Sequence, residues 1–377
     1  MPRTDCTLRT YFRKLRDPRI RRRNKHLLFD IVAIAICAVI CGCDDWQQVH
    51  TFASARLPWL KTFLRLPNGV PSHDTFERVF DRLDPQAFQA CFRDWMRALH
   101  EALGLCQIAI DGKTLRSSGT GGLQNLHLVS AWATTNNLSL GQVVTDAKSN
   151  EITAIPKLLE LLDVHGVLVS LDAMGCQKEI AAKIVDGGGD YLLTVKDNQP
   201  SLRADIEACF AEAADQGSAH PGYSSCQTEE RGHGREETRF YQVIEKPELP
   251  NQAAWKDLRV IGMCYSECRR EGKVTSEVRC FIGSRLGDAK MYGKALRNHW
   301  RIENNLHWQL DVNFGEDDNR FSRPHGAENL ALVRRLALSL LQQHPDKASV
   351  ACKRLRAALD PEFLREIIQI DGKQGKV

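Results

Sequence analysis

Through the first hundred residues apolar side chains recur at three- and four-residue steps, the period of an α-helix. "HLLFDIVAIAICAVIC" (26–41) is apolar on every side, which predicts a helix buried all round. "DWQQVHTFASARLPWLKTFL" (45–64) predicts a second helical stretch, interrupted at Pro58. "SHDTFERVFDRL" (72–83) opens on Ser72 or Asp74 as a cap, with Glu77 three residues after Asp74 in the spacing of a capping box. "DPQAFQACFRDWMRALHEAL" (84–103) is amphipathic, with Asp84 as cap and Pro85 in the first position.

The pattern then changes period. "CQIAID" (106–111) is a short apolar run ending in an acid. "LHLVSAWAT" and "LSLGQVVTD", parted by a Thr-Asn-Asn turn, predict a hairpin. A helix (150–166), the strand "VLVSLDA" (167–173), a helix stopped by Gly187–Gly189 and the strand "DYLLTVKD" (190–197) come next. Strand, strand, strand, helix, strand, helix, strand describes an α/β layout with a mixed sheet. Between about 200 and 285 a helix precedes three β-rich runs, "RFYQVIE", "LRVIGMCY" and "EVRCFIGS", which read as an insertion. The remainder is helical. No solenoid-length repeat and no low-complexity segment interrupts the chain.

"HWRIENNLHWQLDVNF" (299–314) carries the most unusual pattern. Read as one α-helix, it stacks His299, Glu303, His307 and Asp311 along one face, flanked by Arg297, Arg301, Trp300 and Trp308. Asp111 and Asp172 each end an apolar strand. If those strands are parallel neighbours, their carboxylates lie side by side at the end of the sheet where α/β proteins bind ligands. Two close anions ask for a cation, and hard oxygen ligands at an open site suit Mg²⁺, with Mn²⁺ as the alternative. Glu303 would supply the third carboxylate of a two-ion phosphoryl-transfer site. Taken singly, either Asp also fits a turn and Glu303 also fits an ion pair with Arg297 or Arg301. "GEDDNR" (315–320) offers another third acid, but reads as an exposed loop. "DGKT" (111–114) lacks the first glycine of a P-loop, and "GTGG" (119–122) lacks the dinucleotide-binding spacing.

Bulk properties narrow the picture modestly. The 377 residues carry a net charge of +4, so the chain is not a basic arm. Its first 26 residues, however, hold ten Lys/Arg against two Asp, a patch suited to a phosphate backbone or an acidic surface. Thirteen scattered cysteines without a signal peptide point to a reducing, cytoplasmic setting. The close pairs in "CGC" and "CYSEC" lack zinc-finger partners. The apolar run at 27–43 is at the lower length limit for a membrane span and contains Asp30, so a buried helix is the expectation.

Six ordered blocks, "AIDGKTLRSS", "LHLVSAWA", "KSNEITAIPKLLELLD", "SLDAMGCQKEIA", "GGDYLLTVKDNQ" and "HWRIENNLHWQLDVNFGEDDNR", together resemble the DDE transposases of the H-repeat-associated insertion-sequence family. "LLFDIVAIAICAVICGCDDW" and "LPNGVPSHDTFERVFDRLDP" resemble that family's N-terminal associated domain. The resemblance runs from about residue 15 to 365. It implies an RNase H-like catalytic core (103–345) with a β-rich insertion, an all-helical N-terminal domain (1–102) that binds DNA, and a helical tail (346–377). It places the catalytic, metal-holding triad on Asp111, Asp172 and Glu303. Related enzymes often carry a Tyr-x2-Arg-x3-Glu-x6-Lys signature. Here those positions hold Leu296, His299, Glu303 and Leu310, so only the glutamate matches. DNA contacts are expected instead from Arg297, His299, Arg301, His307 and Trp308, with Trp300 or Trp308 stacking on an unpaired base or anchoring the helix on the sheet.

The implied activity is cleavage at mobile-element ends and transfer of the freed 3′-hydroxyl into target DNA. The implied partners are terminal inverted repeats, target DNA and a second copy in a synaptic homodimer, in the cytoplasm on the nucleoid and not at a membrane. Two alternatives stand beside it: a nuclease of the same fold without strand transfer, and a retired transposase that only binds DNA.

Overall fold

The computed structural model describes residues 8–368 apart from 21–23, 102–105, 116–124, 146–150, 217–220, 233 and 319–323. Parts of the basic leader, the "GTGG" segment and the end of "GEDDNR" therefore lie outside the described residues. Among the described residues six helices come first: α1 (Leu8–Phe12), α2 (Leu28–Ile40), α3 (Trp46–Ala55), α4 (Leu57–Leu60), α5 (His73–Phe80) and α6 (Pro85–Glu101). Then come β1 (Gln107–Thr114), β2 (His127–Ala133), β3 (Leu138–Thr145), α7 (Glu151–Glu160), β4 (Leu168–Leu171), α8 (Lys178–Asp186), β5 (Asp190–Val195) and α9 (Pro200–Gln216). Four long strands succeed them, β6 (Tyr223–Gly232), β7 (Arg235–Glu245), β8 (Val260–Arg270) and β9 (Lys273–Gly283). Helices α10 (Ala289–His299), α11 (Trp308–Phe314), α12 (Pro324–Gln343), α13 (Val350–Leu359) and α14 (Pro361–Ile368) complete the described residues. The strands run in the order β3-β2-β1-β4-β5-β9-β8-β7-β6, the mixed sheet of an RNase H-like core.

The chain divides into two compact units, neither continuous in sequence. The first holds residues 1–105, 112–148 and 303–377. Its centre is α2. Every residue of that helix except Phe29 is buried, because α1, α3, α12, α13 and α14 surround it. The apolar run is thus a core helix, and among the described residues no helix is long and apolar enough to cross a membrane. Asp30 in its first turn is buried, and its Oδ2 accepts a hydrogen bond from the Leu66 amide at 2.8 Å, which meets one of the two oxygens of an otherwise costly polar group. Asn329 on α12 donates to the carbonyls of Phe80 and Leu83, fixing α12 against the end of α5. The β2–β3 hairpin belongs here, with Asn137 in its turn at φ 51°, where Asn is tolerated. Helix α12 packs against β3.

The second unit holds residues 106–111 and 149–302. The first half of β1 pairs in parallel with β4, and β4 in parallel with β5. β9 then joins β5 antiparallel, and β8, β7 and β6 continue as a meander. Helix α10 packs over β7, β6 and β4 on a core that includes Phe281, Tyr292, Val243 and Leu192. Gly262 makes room for Phe281: a Cβ there would lie 1.9 Å from the ring.

Four expectations change. The β-rich stretch holds four strands rather than three, and they extend the same sheet. β6 ("YSSCQTEERG") carries no apolar alternation because most of its residues face solvent at the sheet edge. Ser72 is the N-cap residue of α5, yet its side chain makes no cap bond; its Oγ lies 3.0 Å from Thr75 Oγ1, so no capping box forms. Residues 299–314 are not one α-helix: α10 ends at His299, and Glu303–His307 forms a π turn before α11 begins. The single face shared by four titratable residues therefore does not form, since a π turn inserts extra backbone and rotates the residues beyond it. Finally, Glu316 is not in an exposed loop. It lies buried in a 3₁₀ turn.

Candidate active site

Asp111 and Asp172 gain their positions from strand register. Ile110 pairs with Leu171 in the parallel β1–β4 ladder, so the next residue on each strand is an aspartate, and both emerge toward the carboxyl ends. β1 continues past Asp111 to Thr114, three residues beyond its apolar part. Asp172 instead leaves β4 for a tight turn, where its Oδ1 accepts from the amides of Met174 at 3.0 Å and Gly175 at 3.4 Å. Gly175 allows that turn, since a Cβ would fall 2.7 Å from the Leu171 side chain. Burial pushes the Asp172 carboxyl above its usual range, and the charge of Glu151 adds to it, against the two amide bonds and Lys196. A carboxylate desolvated and crowded by like charge is one that a cation would relieve.

Beneath these strand ends Ser170 ties three elements together. Its Oγ donates to the Ile108 carbonyl at 3.2 Å, accepts from Gln107 Nε2 at 3.0 Å, and lies 3.1 Å from His299 Nδ1. Gln107 also donates to the Ala295 carbonyl of α10. Such a closed polar network fixes register under a site more strictly than apolar packing would.

Glu303 opens the π turn and reaches His307 at its end, with Oε2 3.4 Å from Nδ1. The hydrogen bond from His307 holds the Glu303 carboxyl below its usual range, against burial and with help from Lys113. His307 is buried while Glu303 is open. Lys113 Nζ lies 3.5 Å from the His307 carbonyl, 3.6 Å from Glu316 Oε2 and 3.5 Å from Asp317 Oδ1. Glu316 in turn accepts from Arg335 Nη1 of α12 at 2.6 Å, both side chains being 0% exposed.

One ligand atom from each of Asp111, Glu303 and His307 lies within 4.8 Å of the others, a spacing a divalent ion can bridge. Two carboxylates fit Mg²⁺ or Mn²⁺; the imidazole is a softer donor that Mg²⁺ seldom takes and Mn²⁺ accepts. Asp172 is not in this group of three, though register sets it beside Asp111. The grouping also gives His307 a different setting from the expected DNA contact: it sits with the acids.

The other expected DNA contacts divide by exposure. His299 is 7% exposed and bonded to Ser170, so it supports the strands from below. Arg297 is half-buried and paired with Glu230, Nε to Oε1 at 3.1 Å. Arg301 is exposed. Trp300 and Trp308 are 43% and 52% exposed, so neither anchors its segment by burial, and the Arg279 guanidinium stacks over Trp300 at 4.3 Å. Sequence reasoning missed Ser170 and Lys113, and set Glu316, an alternative third acid, in an exposed loop. Only Lys113 carried a signal: it stands two residues after Asp111, on the same face of a strand.

Phosphoryl transfer between polynucleotides asks for oxygen ligands to divalent ions at the open end of a buried mixed sheet, and this defines a class, the metal-dependent enzymes that cut and join DNA. Comparison with known proteins takes the class further. Residues 9–96 match the family described as DDE_Tnp_1-associated, and residues 103–340 match the transposase DDE domain. The putative transposase YncI of Escherichia coli O157:H7 is 41% identical over 96% of this chain and 94% of its own length. The H repeat-associated putative transposase YhhI of Escherichia coli K12 is 39% identical over 92% of this chain and 94% of its own. A piggyBac transposase synaptic complex with hairpin DNA, solved by cryo-EM, superposes with a TM-score of 0.42 at 10% identity, covering 97% of this chain and 78% of that one. The chain belongs to the DDE transposases, and among them to the H-repeat-associated insertion-sequence type.

Proposed function

We propose that Asp111, Asp172 and Glu303 are the carboxylates that hold the catalytic ions of this transposase, and that His307 orients Glu303 and shares in the ligation. The grouping of Asp111, Glu303 and His307 ligand atoms within 4.8 Å carries this reading. Asp172 joins it by strand register beside Asp111. Bound Mg²⁺ or Mn²⁺ would supply charge stabilisation and a deprotonated water at neutral pH. Asp111 and Asp172, fixed on the sheet, and Glu303, from the π turn, would hold the ions that meet the scissile phosphate. Water adds to phosphorus, the P–O3′ bond breaks, and a 3′-hydroxyl and a 5′-phosphate result. That 3′-oxygen then attacks a phosphodiester of the target and displaces its 3′-oxygen, so no enzyme nucleophile is required.

The N-terminal helices and basic leader would bind the terminal inverted repeats of the element. Arg301 and Trp308, both exposed, are the best placed of the expected DNA contacts, with Arg297 a third once released from Glu230. Two ends must be held together, which calls for a homodimer acting on cytoplasmic, nucleoid DNA.

The test is cleavage of DNA carrying the gene's own flanks by purified protein with Mg²⁺ or Mn²⁺, beside Glu303→Gln and Asp172→Asn. Discrete metal-dependent cuts, joined products, and loss of both in the two variants are expected. Cuts without joined products would make the protein a nuclease. Specific binding by folded protein without cuts would make it a DNA-binding relic.

A further inference from the structure

We infer that Lys113 is a positioning residue: its ammonium is the pin that holds the Glu303–His307 π turn in the shape that presents Glu303. The inference rests on the reading of Glu303 as a metal ligand. A π turn is strained relative to an α-turn and persists where its surroundings enforce it. The one side-chain donor that reaches a backbone carbonyl inside this turn from the strand side, among the described residues, is Lys113 at the His307 oxygen. Lys113 is itself held. Glu316 and Asp317 flank its Nζ at 3.6 and 3.5 Å, and Glu316 is locked by Arg335 at 2.6 Å. The chain of contacts therefore runs from α12 through Arg335, Glu316 and Lys113 to the turn. A second tether comes from α12 directly, where Gln342 Nε2 donates to the Asn305 carbonyl at 2.8 Å.

Two features argue against a different use of this lysine. Its side chain is 12% exposed, so it is not an open phosphate contact. Its charge is already met by two carboxylates. Alternation along β1 puts Lys113 on the same face as Asp111. One short strand end therefore bears both a proposed ligand and the group that sets the turn of another. Partners of metal ligands of this kind typically change metal affinity about 10–100-fold when removed.

The experiment uses the full chain as wild type, Lys113→Met, Lys113→Arg and Glu303→Gln. Hydrogen exchange is read by mass spectrometry on metal-free protein, and Mn²⁺ binding by the free-ion electron paramagnetic resonance signal. In Lys113→Met the amides of residues 304–308 are expected to exchange about ten-fold faster, while those of α2 keep their protection. Its Mn²⁺ half-saturation is expected to rise about 10–100-fold with DNA affinity unchanged, and Lys113→Arg to recover most of both losses. Unaltered exchange at 304–308 together with unaltered Mn²⁺ binding would overturn the inference, as would a loss confined to DNA affinity. If Lys113→Met does not fold, Asp317→Asn, which removes one of the two flanking carboxylates, must move exchange and Mn²⁺ binding in the same direction, and no movement refutes it. A Glu303→Gln protein that binds Mn²⁺ as wild type does would defeat the metal-site reading instead, and leaves the exchange result to judge the pin.

Discussion

Replacing Arg335 by Met should show what a fully buried ion pair does at the heart of the first unit. Arg335 Nη1 lies 2.6 Å from Glu316 Oε1 and 3.1 Å from the Ala331 carbonyl, with neither charged side chain exposed. Methionine fills much of the space, so the loss comes mainly from leaving Glu316 buried without its nearest counter-charge. Breaking a buried pair from one side costs about 3–5 kcal/mol. Lys113, 3.6 Å from the other carboxylate oxygen, offsets part of it, so the lower end is expected. At about 2–4 °C per kcal/mol for a unit of this size, Tm should fall by roughly 6–12 °C at pH 7.5. The sign with pH is fixed by Glu316. Burial pushes its carboxyl up, but Arg335, Lys113 and Arg334 together hold it below the usual range. In the wild type this stability is present above the unfolded-state pKa and is lost as the pH falls. Without Arg335, burial dominates and the carboxyl takes up a proton readily, so the deficit of the variant relative to wild type should shrink toward pH 4.5. Differential scanning fluorimetry and urea titration at both pH values read the effect. The double variant Arg335→Met/Glu316→Leu, which removes both charges, should recover at least half of the loss. A deficit below about 1 kcal/mol at pH 7.5, or an equal deficit at both pH values, would refute the reasoning.

Three further outcomes are expected at other positions. Gly175→Ala drives a Cβ into the Leu171 side chain and opens the turn that bonds Asp172; cleavage in the flank assay should drop about 100-fold, as for an ångström-scale misplacement, while Tm falls only modestly. Burial, with Asp84 adding to it, pushes the Glu328 carboxyl up to about 7. Its neutral form is thus favoured by folding, and stability declines as pH rises from the unfolded value through 7; Glu328→Gln should raise stability by roughly 2–3 kcal/mol at pH 8.5 and leave it unchanged at pH 4. Trp308→Ala removes a half-exposed ring that supports no core; DNA affinity should weaken about 5–150-fold by fluorescence anisotropy, the worth of one stacked base, with Tm unaltered.

The parts legible in the sequence are those where one period dominates a segment. The run at 28–40, apolar but for Asp30, announced a buried helix, and the acid-terminated runs at 106–111 and 167–172 announced strands; their parallel pairing was a condition the pattern left open, and the β1–β4 ladder meets it. The strand and helix order through Val195 was readable for the same reason. Exposed edge strand β6 was not, since nothing in its side chains distinguishes it from a loop; its partner strand makes it a strand. The break after His299 was illegible because "HWRIENNLHWQLDV" is a good α-helical pattern, and the π turn reflects contacts from Lys113 that lie far away in sequence. Glu316 looked like loop chemistry for a similar reason. Its environment is made by an arginine nineteen residues later on a different helix.

The encirclement of α2 also governs when the protein can come into being. Its wrapping includes α12, α13 and α14, helices synthesised long after it. Synthesis at about 5–20 residues per second means that α2 waits roughly 15–60 s for α12, longer still for the rest. During that time a 13-residue, largely apolar helix has only α1 and α3 of these partners to cover it on the nascent chain. A message cut short, or a frameshift anywhere before residue 324, yields a product whose most apolar segment is never closed over. Such fragments are natural prey for chaperones and proteases. The supply of DNA-cutting enzyme is thereby coupled to intact reading frames, by folding alone.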